Sequence, residues 1–160
     1  AANSGSSSCT PCAYGTTAVS SASVCTICPA GRQYSRYGQC DACAVGTFSS
    51  SSNSSSCAHC PPGKFSGVIK STVCSPCIAG TYNAVTTATT CLSCASGTFS
   101  NTTGSSVCAT CPTATFSGSQ SESCSRCALA TYASAGSSNC AKCAANTYSL
   151  VNGASNAICT

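Results

Sequence analysis

The chain has 160 residues, 19 of them cysteine and only 5% charged, with a net charge of +4. Leu, Ile, Val and Phe together make 19 residues, too few to offset the conformational entropy of ordering such a chain, so an ordinary hydrophobic core is excluded and a covalent framework is required. Arg32, Arg36, Lys64, Lys70, Arg126 and Lys142 are scattered against Asp41 and Glu122; no basic stripe suits a phosphate backbone and no apolar run is long enough for a membrane helix, which excludes nucleic acid and a membrane segment as partners of this stretch.

From the left, Cys-x-x-Cys corners stand at Cys9/Cys12, Cys25/Cys28, Cys40/Cys43, Cys57/Cys60, Cys74/Cys77, Cys91/Cys94, Cys108/Cys111, Cys124/Cys127 and Cys140/Cys143, followed by Cys159. First cysteines recur every 15 to 17 residues and then after 19, which defines one tandem array with repeats at roughly 9–24, 25–39, 40–56, 57–73, 74–90, 91–107, 108–123, 124–139 and 140–160. Ala1 to Ser8 has neither a charged start nor an apolar stretch, and the pattern is cut at Cys159, so the chain is expected to be a fragment of a longer protein.

Three residues after each corner come Gly15, Gly31, Gly46, Gly63, Gly80 and Gly97, then Ala114, Ala130 and Asn146. Glycine there fits a turn with positive φ or a close backbone approach. The alanines leave the turn type open between type I and a strained left-handed form.

Two positions on stands Phe48, Phe65, Tyr82, Phe99, Phe116, Tyr132 or Tyr148, usually behind a threonine. Such triplets are strand-like, and the aromatic ring is suited to cover sulfur from water. Thr17 and Gln33 replace the aromatic in the first two repeats, which should pack less regularly. The Ser- and Thr-rich stretches that follow, such as Ser49 to Ser56, Ser100 to Ser106 and Ser117 to Ser123, are expected to be surface tips that bury nothing. The fold class expected is small and disulfide-rich: an elongated tandem array of short β-hairpin repeats, with little or no helix, in which each unit touches only its neighbours.

If the second cysteine of each corner joins the first of the next, the bridges are Cys12–Cys25, Cys28–Cys40, Cys43–Cys57, Cys60–Cys74, Cys77–Cys91, Cys94–Cys108, Cys111–Cys124, Cys127–Cys140 and Cys143–Cys159, with Cys9 awaiting a partner upstream. An interlocked scheme, Cys9–Cys25 with Cys12–Cys28, would leave a doubled period in the loop lengths. The lengths drift without alternating, which favours the first scheme, although spacing alone does not fix connectivity.

The corners also lie close to zinc-ribbon spacing. Zinc sites would group them in pairs of pairs with basic residues nearby, whereas this spacing is even, so no metal and no cofactor is expected. Asp41 and His59 occupy variable places in adjacent corners and read as exposed turn residues. With one histidine and two carboxylates there is no catalytic constellation, and the chain is read as non-enzymatic.

Two sequons, Asn53-Ser54-Ser55 and Asn101-Thr102-Thr103, make Asn53 and Asn101 candidate glycosylation sites in a secreted setting. Arg32, Tyr34, Arg36 and Tyr37 form the one polar and aromatic cluster, a candidate surface for a partner or an acidic glycan.

The unit C-x-x-C-x-x-G-T-[Y/F]-S, seen in CIAGTYNAVTTATTC and CASGTFSNTTGSSVC, resembles the cysteine-rich repeats of ephrin receptors and, more loosely, the loop modules of tumour necrosis factor receptors. Similar modules fill ciliate surface antigens and the mastigoneme proteins of algal flagellar hairs, and the unbroken run of nine units looks more like that group. The resemblance implies an extracellular or cell-surface location and a structural rod segment, glycosylated, with copies of itself or other filament and coat proteins as partners. The alternative it implies is the ligand-binding ectodomain of a receptor or adhesin.

Overall fold

The computed structural model describes residues 16–17, 26–35, 39–145, 147 and 159. Among them sixteen strands pair into eight two-stranded sheets and there is no helix. In chain order the pairs are β1 (Thr16–Thr17) with β2 (Thr26–Ile27), β3 (Arg32–Tyr34) with β4 (Cys40–Ala42), β5 (Thr47–Phe48) with β6 (Ala58–His59) and β7 (Lys64–Phe65) with β8 (Ser75–Pro76). They continue as β9 (Thr81–Tyr82) with β10 (Leu92–Ser93), β11 (Thr98–Phe99) with β12 (Ala109–Thr110), β13 (Thr115–Phe116) with β14 (Ser125–Arg126) and β15 (Thr131–Tyr132) with β16 (Ala141–Lys142). The first strands β5, β9, β11, β13 and β15 are the threonine–aromatic step, with Lys64–Phe65 in its place in β7, Thr16–Thr17 in β1 and Arg32-Gln33-Tyr34 in β3; each second strand lies in the two residues between corner cysteines or overlaps them. In the regular hairpins Thr98 faces Thr110 and Phe99 faces Ala109, and the same antiparallel register recurs as Thr47 with His59 and Phe48 with Ala58. The molecule is therefore a small disulfide-rich array of tandem hairpins.

Hairpins two residues long bury too little to persist alone. Among the described residues there are eight bridges, of which seven close the hairpins from β3–β4 to β15–β16: Cys28–Cys40, Cys43–Cys57, Cys60–Cys74, Cys77–Cys91, Cys94–Cys108, Cys111–Cys124 and Cys127–Cys140, with Cys143–Cys159 following them. Cα–Cα separations run from 5.4 Å for Cys28–Cys40 to 5.7 Å for Cys94–Cys108, inside the range an unforced bridge spans. Cys9, Cys12 and Cys25 lie outside the described residues, and so does the Cys12–Cys25 pairing.

The chain divides into two compact units that interleave along the sequence. The first comprises Ala1–Pro61, Phe65–Ser75 and Thr86–Thr89; the second comprises Pro62–Lys64, Pro76–Val85 and Thr90–Thr160. In the first unit the buried interior consists of Cys28, Cys43, Cys60 and Cys74 with Gly31, Gly46, Ser49 and Ser66. In the second it consists of Cys77, Cys94, Cys111 and Cys127 with Ala114, Ala133, Thr81, Asn83, Ser100 and Ser117. Sulfur, backbone and small side chains make each interior, and the aromatics Phe48, Phe65, Tyr82, Phe99 and Phe116 are only half-buried at its margin.

Buried Ser49, Ser66, Ser100 and Ser117, each 3–4% exposed, depart from the expectation that the tips bury nothing. A lone serine gains little from burial, but here each hydroxyl has a partner inside the fold, which removes the penalty.

Candidate functional site

The feature repeated through both units is a junction built on the residue three after each corner. In the loop closed by Cys94–Cys108, Thr98 donates both its amide and its hydroxyl to the carbonyl of Ala95, at 3.0 and 2.7 Å. That closes a four-residue turn with Gly97 in third place at φ +82°. Positive φ there is the mark of a type II turn and rules out type I. Thr47, Thr81, Thr115, Thr131 and Thr147 make the same hydroxyl bond to the carbonyl three residues back, at 2.6–2.8 Å. Ala114 and Ala130 adopt φ of 62° and 60°, so the alanine repeats keep this turn in a conformation a side chain tolerates at some cost.

The glycine amide then reaches the next loop. In the first unit Gly31 donates to the Ser49 carbonyl and Gly46 to that of Ser66, both at 2.8 Å. In the second, Gly63 donates to Asn83, Gly80 to Ser100, Gly97 to Ser117 and Ala114 to Ala133, at 2.7–2.8 Å. The tip of the next loop bonds back to the buried half-cystine carbonyl: Asn53 N to Cys28 O, Lys70 N to Cys43 O and Thr87 N to Cys60 O in the first unit. Gly104 N to Cys77 O, Gln120 N to Cys94 O and Gly136 N to Cys111 O do the same in the second. All six tip residues have positive φ.

A third loop completes the junction. A Cβ on Gly97 would lie 2.0 Å from the carbonyl oxygen of Gly136, and one on Gly31 2.2 Å from that of Lys70, each two loops further on. A Cβ on Gly46 would likewise lie 2.1 Å from the carbonyl oxygen of Thr87, one on Gly63 2.0 Å from that of Gly104 and one on Gly80 2.4 Å from that of Gln120. Nearest-neighbour contact was expected of a simple stack; instead one tip peptide donates to the loop before it and seats its carbonyl on the glycine of the loop before that. Glycine is required because the place of its side chain is filled by backbone.

The tips are clamped from within. Ser100 Oγ donates to Ser105 Oγ at 2.7 Å, and Ser105 Oγ lies 3.1 Å from the Thr102 carbonyl. Ser49 with Ser54 and Ser66 with Ser71 repeat the pair at 2.7 and 2.6 Å. In the loop from Cys77, Asn83 stands at the serine position and Ala88 replaces the second serine. The longer Asn83 amide donates to the carbonyls of Val85 and Lys64, both at 2.9 Å. Ser117 reaches back to the Thr98 carbonyl at 2.9 Å. A serine six residues after the second corner cysteine, followed by another five residues later, is the sequence signal of this clamp.

Loop 28–40 keeps the bridge and the glycine but changes the interior. Arg32 donates its guanidinium to the Cys40 carbonyl at 2.8 Å, and Gln33, in the aromatic place, accepts the Cys57 amide on its side-chain carbonyl at 2.9 Å. Tyr34 donates its amide to the Ser54 carbonyl at 2.8 Å and its side chain is half-buried. Of the cluster proposed to meet a partner, Arg32 and Tyr34 thus sit on one strand, while Arg36 and Tyr37 lie outside the described residues. Asp41 and His59 are exposed on different hairpins, opposite Gln33 and Thr47 respectively. Asn53 and Asn101 are both exposed, as are Ser55 and Thr103, which complete their sequons. Among the described residues no three His, Cys, Asp or Glu side chains are gathered as a metal site.

Closed loops joined by two-residue corners, each locked to the next through a buried glycine, define a disulfide-rich extracellular or secreted module. Residues 80–118 match the family model described as tyrosine-protein kinase ephrin type A/B receptor-like. That stretch runs from the junction glycine Gly80 through the loop from Cys94 to the tip of the loop from Cys111, and over it the repeat is ephrin receptor-like. No curated protein matches the chain. No helix among the described residues is long and apolar enough to cross a membrane.

Proposed function

We propose that this array is a structural segment of an extracellular, N-glycosylated coat or filament protein, serving as a stalk or associating with copies of itself. The observation that carries this reading is the sameness of the junctions: in both units the buried turn amides and half-cystine carbonyls hold one loop to the next, the buried serine hydroxyls mostly clamp each tip from within, and variation is left to the exposed tips. A part whose interior is devoted to its own continuity suits a spacer or a fibre. Electron micrographs of the native material should show coats or filaments containing this chain; dispersed globular monomers would remove the reading. Exposed Asn53 and Asn101 on the tips fit glycan attachment, so the secreted protein should lose mass on treatment with a peptide N-glycosidase, and an unchanged mass would remove the glycans.

A second reading, a receptor-type or adhesin ectodomain, is favoured by the ephrin receptor-like match over residues 80–118. On this reading Arg32, Tyr34, Arg36 and Tyr37 bind the partner. Arg36→Ala should then abolish binding to a surface that wild-type protein recognises, with the bridges intact; undiminished binding argues for the structural reading.

A further inference from the structure

We infer that the array is a tension-bearing tether in which pulling force runs through the disulfides and the two-residue corners and bypasses the interiors of the loops. The inference rests on the structural reading above and adds how such a segment would bear load. Each bridge joins the two ends of its own loop, with sequence separations of 12 for Cys28–Cys40, 14 for Cys94–Cys108 and 16 for Cys143–Cys159. Leaving a loop, the chain passes only from Cys40 to Cys43, or from Cys108 to Cys111, before it enters the next bridge. A pull on the two ends is therefore carried by sulfur–sulfur bonds and by three peptide steps per corner. The turns, strands and serine clamps hang beside that path as closed rings.

Extended chain spans at most about 3.6 Å per residue, and the described bridges span 5.4–5.7 Å between Cα atoms. With eight bridges shut, the segment from Cys28 to Cys159 reaches no more than about 120 Å, whereas the same residues with every bridge open would reach about 470 Å. The oxidised array is thus about fourfold shorter at its limit than the bare chain. Up to that limit, stretching breaks only hydrogen bonds that join one loop to another or to a corner, such as Gly97 N to Ser117 O and Gly136 N to Cys111 O. Every ring stays closed, so relaxation starts from loops whose closure entropy is already spent.

Single-molecule stretching of the whole chain between terminal handles tests this. Oxidised protein should stop at its short limit. Added dithiothreitol should then release length in steps of about 45 Å for the bridges whose cysteines lie 14 residues apart in sequence, one step per bridge. The paired substitution Cys94→Ser with Cys108→Ser should lengthen the oxidised limit by the same amount without reductant, a result that holds whether or not the variant folds around that loop. Oxidised protein that extends several hundred ångströms, or a paired variant with the parent's limit, would overturn the tether. Filaments in micrographs alongside such an overextending array would sink the tether alone; a short limit measured on a protein that is nowhere part of a fibre or coat would sink the structural reading alone.

Discussion

Loop 28–40 and loop 94–108 carry the same frame on different fillings. Both have a buried second cysteine, a bridge to the next corner and a buried positive-φ glycine whose amide reaches the following loop. Loop 94–108 fills that frame with Thr98, Phe99 and a serine clamp, whereas loop 28–40 uses Arg32, Gln33 and a three-residue strand. The contrast teaches that cysteine spacing and the glycine are the requirements, and that the side chains between them are one solution among several for satisfying the same backbone groups.

The largest effect should come from the frame. Replacing Cys94 and Cys108 together by serine should cost about 3 kcal/mol, and replacing Cys28 and Cys40 nearly the same, because the loop-closure contribution changes only slowly with ring size. Amide exchange read at Gly97 and at Gly31 checks this locally, which is appropriate for an array whose parts open separately. A difference above about 1 kcal/mol between the two would mean that Arg32 and Gln33 share the work of the bridge, and the contrast between frame and filling would fail.

Next comes the glycine. Gly97→Ala must pay for a left-handed backbone, about 1–2 kcal/mol, and must also displace the Gly136 carbonyl. Its cost should exceed that conformational figure, and Gly31→Ala should behave alike despite its different loop. Ala114→Gly should stay within about 1 kcal/mol of neutral, since φ is already 62° there and relief of strain opposes the added chain entropy. Thermal melts of the oxidised proteins compare the three; Gly97→Ala melting with Ala114→Gly would deny that a third loop occupies the glycine's face.

How much of this was legible in the sequence follows the same division. Hairpins in a disulfide-rich array, and a glycine needing positive φ or a close approach, could be read from Cys-x-x-Cys-x-x-Gly-Thr-aromatic because those constraints are local. That the approaching group is the carbonyl of Lys70 for Gly31, 39 residues away, could not be read, since it depends on how successive loops wind. In the sequence Ser100 is one of many serines of a polar tip; its burial comes from neighbouring loops, and a background rich in serine hides its spacing to Ser105. In the sequence Arg32 is a charged residue near tyrosines, while the structure gives its guanidinium the Cys40 carbonyl of its own loop. In a chain with only two carboxylates a basic side chain satisfies its donors where it can, and here the acceptor is a backbone carbonyl.

A smaller effect isolates the filling of loop 28–40. Gln33→Ala leaves the Cys57 amide without its side-chain acceptor. The cost should be about 1–2 kcal/mol, that of a part-buried donor left unpaired. Gln33→Phe, which installs the aromatic of the regular loops, should fare no better, because a phenyl ring cannot accept that amide. If Gln33→Phe matches wild type in its melting temperature, the first described loop tolerates the common filling and its difference is ornament.

The finest test converts one filling into another. In loop 94–108, Ser105→Ala removes the partner of the buried Ser100 hydroxyl, which keeps only the Thr102 carbonyl at 3.2 Å; about 1 kcal/mol should be lost. Adding Ser100→Asn to that variant copies the pair found in the preceding loop, where Asn83 with Ala88 in place of serine reaches the carbonyl two residues on and the one nineteen residues back. For residue 100 those acceptors are the carbonyls of Thr102 and Thr81, and Ser117 already reaches the equivalent backward carbonyl from its own loop. The double variant should recover most of what Ser105→Ala loses, whereas Ser100→Asn alone, facing Ser105, should not exceed wild type. A double-mutant cycle on melting data gives the coupling directly. Additive losses would mean that the asparagine in loop 77–91 is tolerated there for reasons of its own loop; a favourable coupling near 1 kcal/mol would establish that frame and filling are separable down to a single pair of side chains.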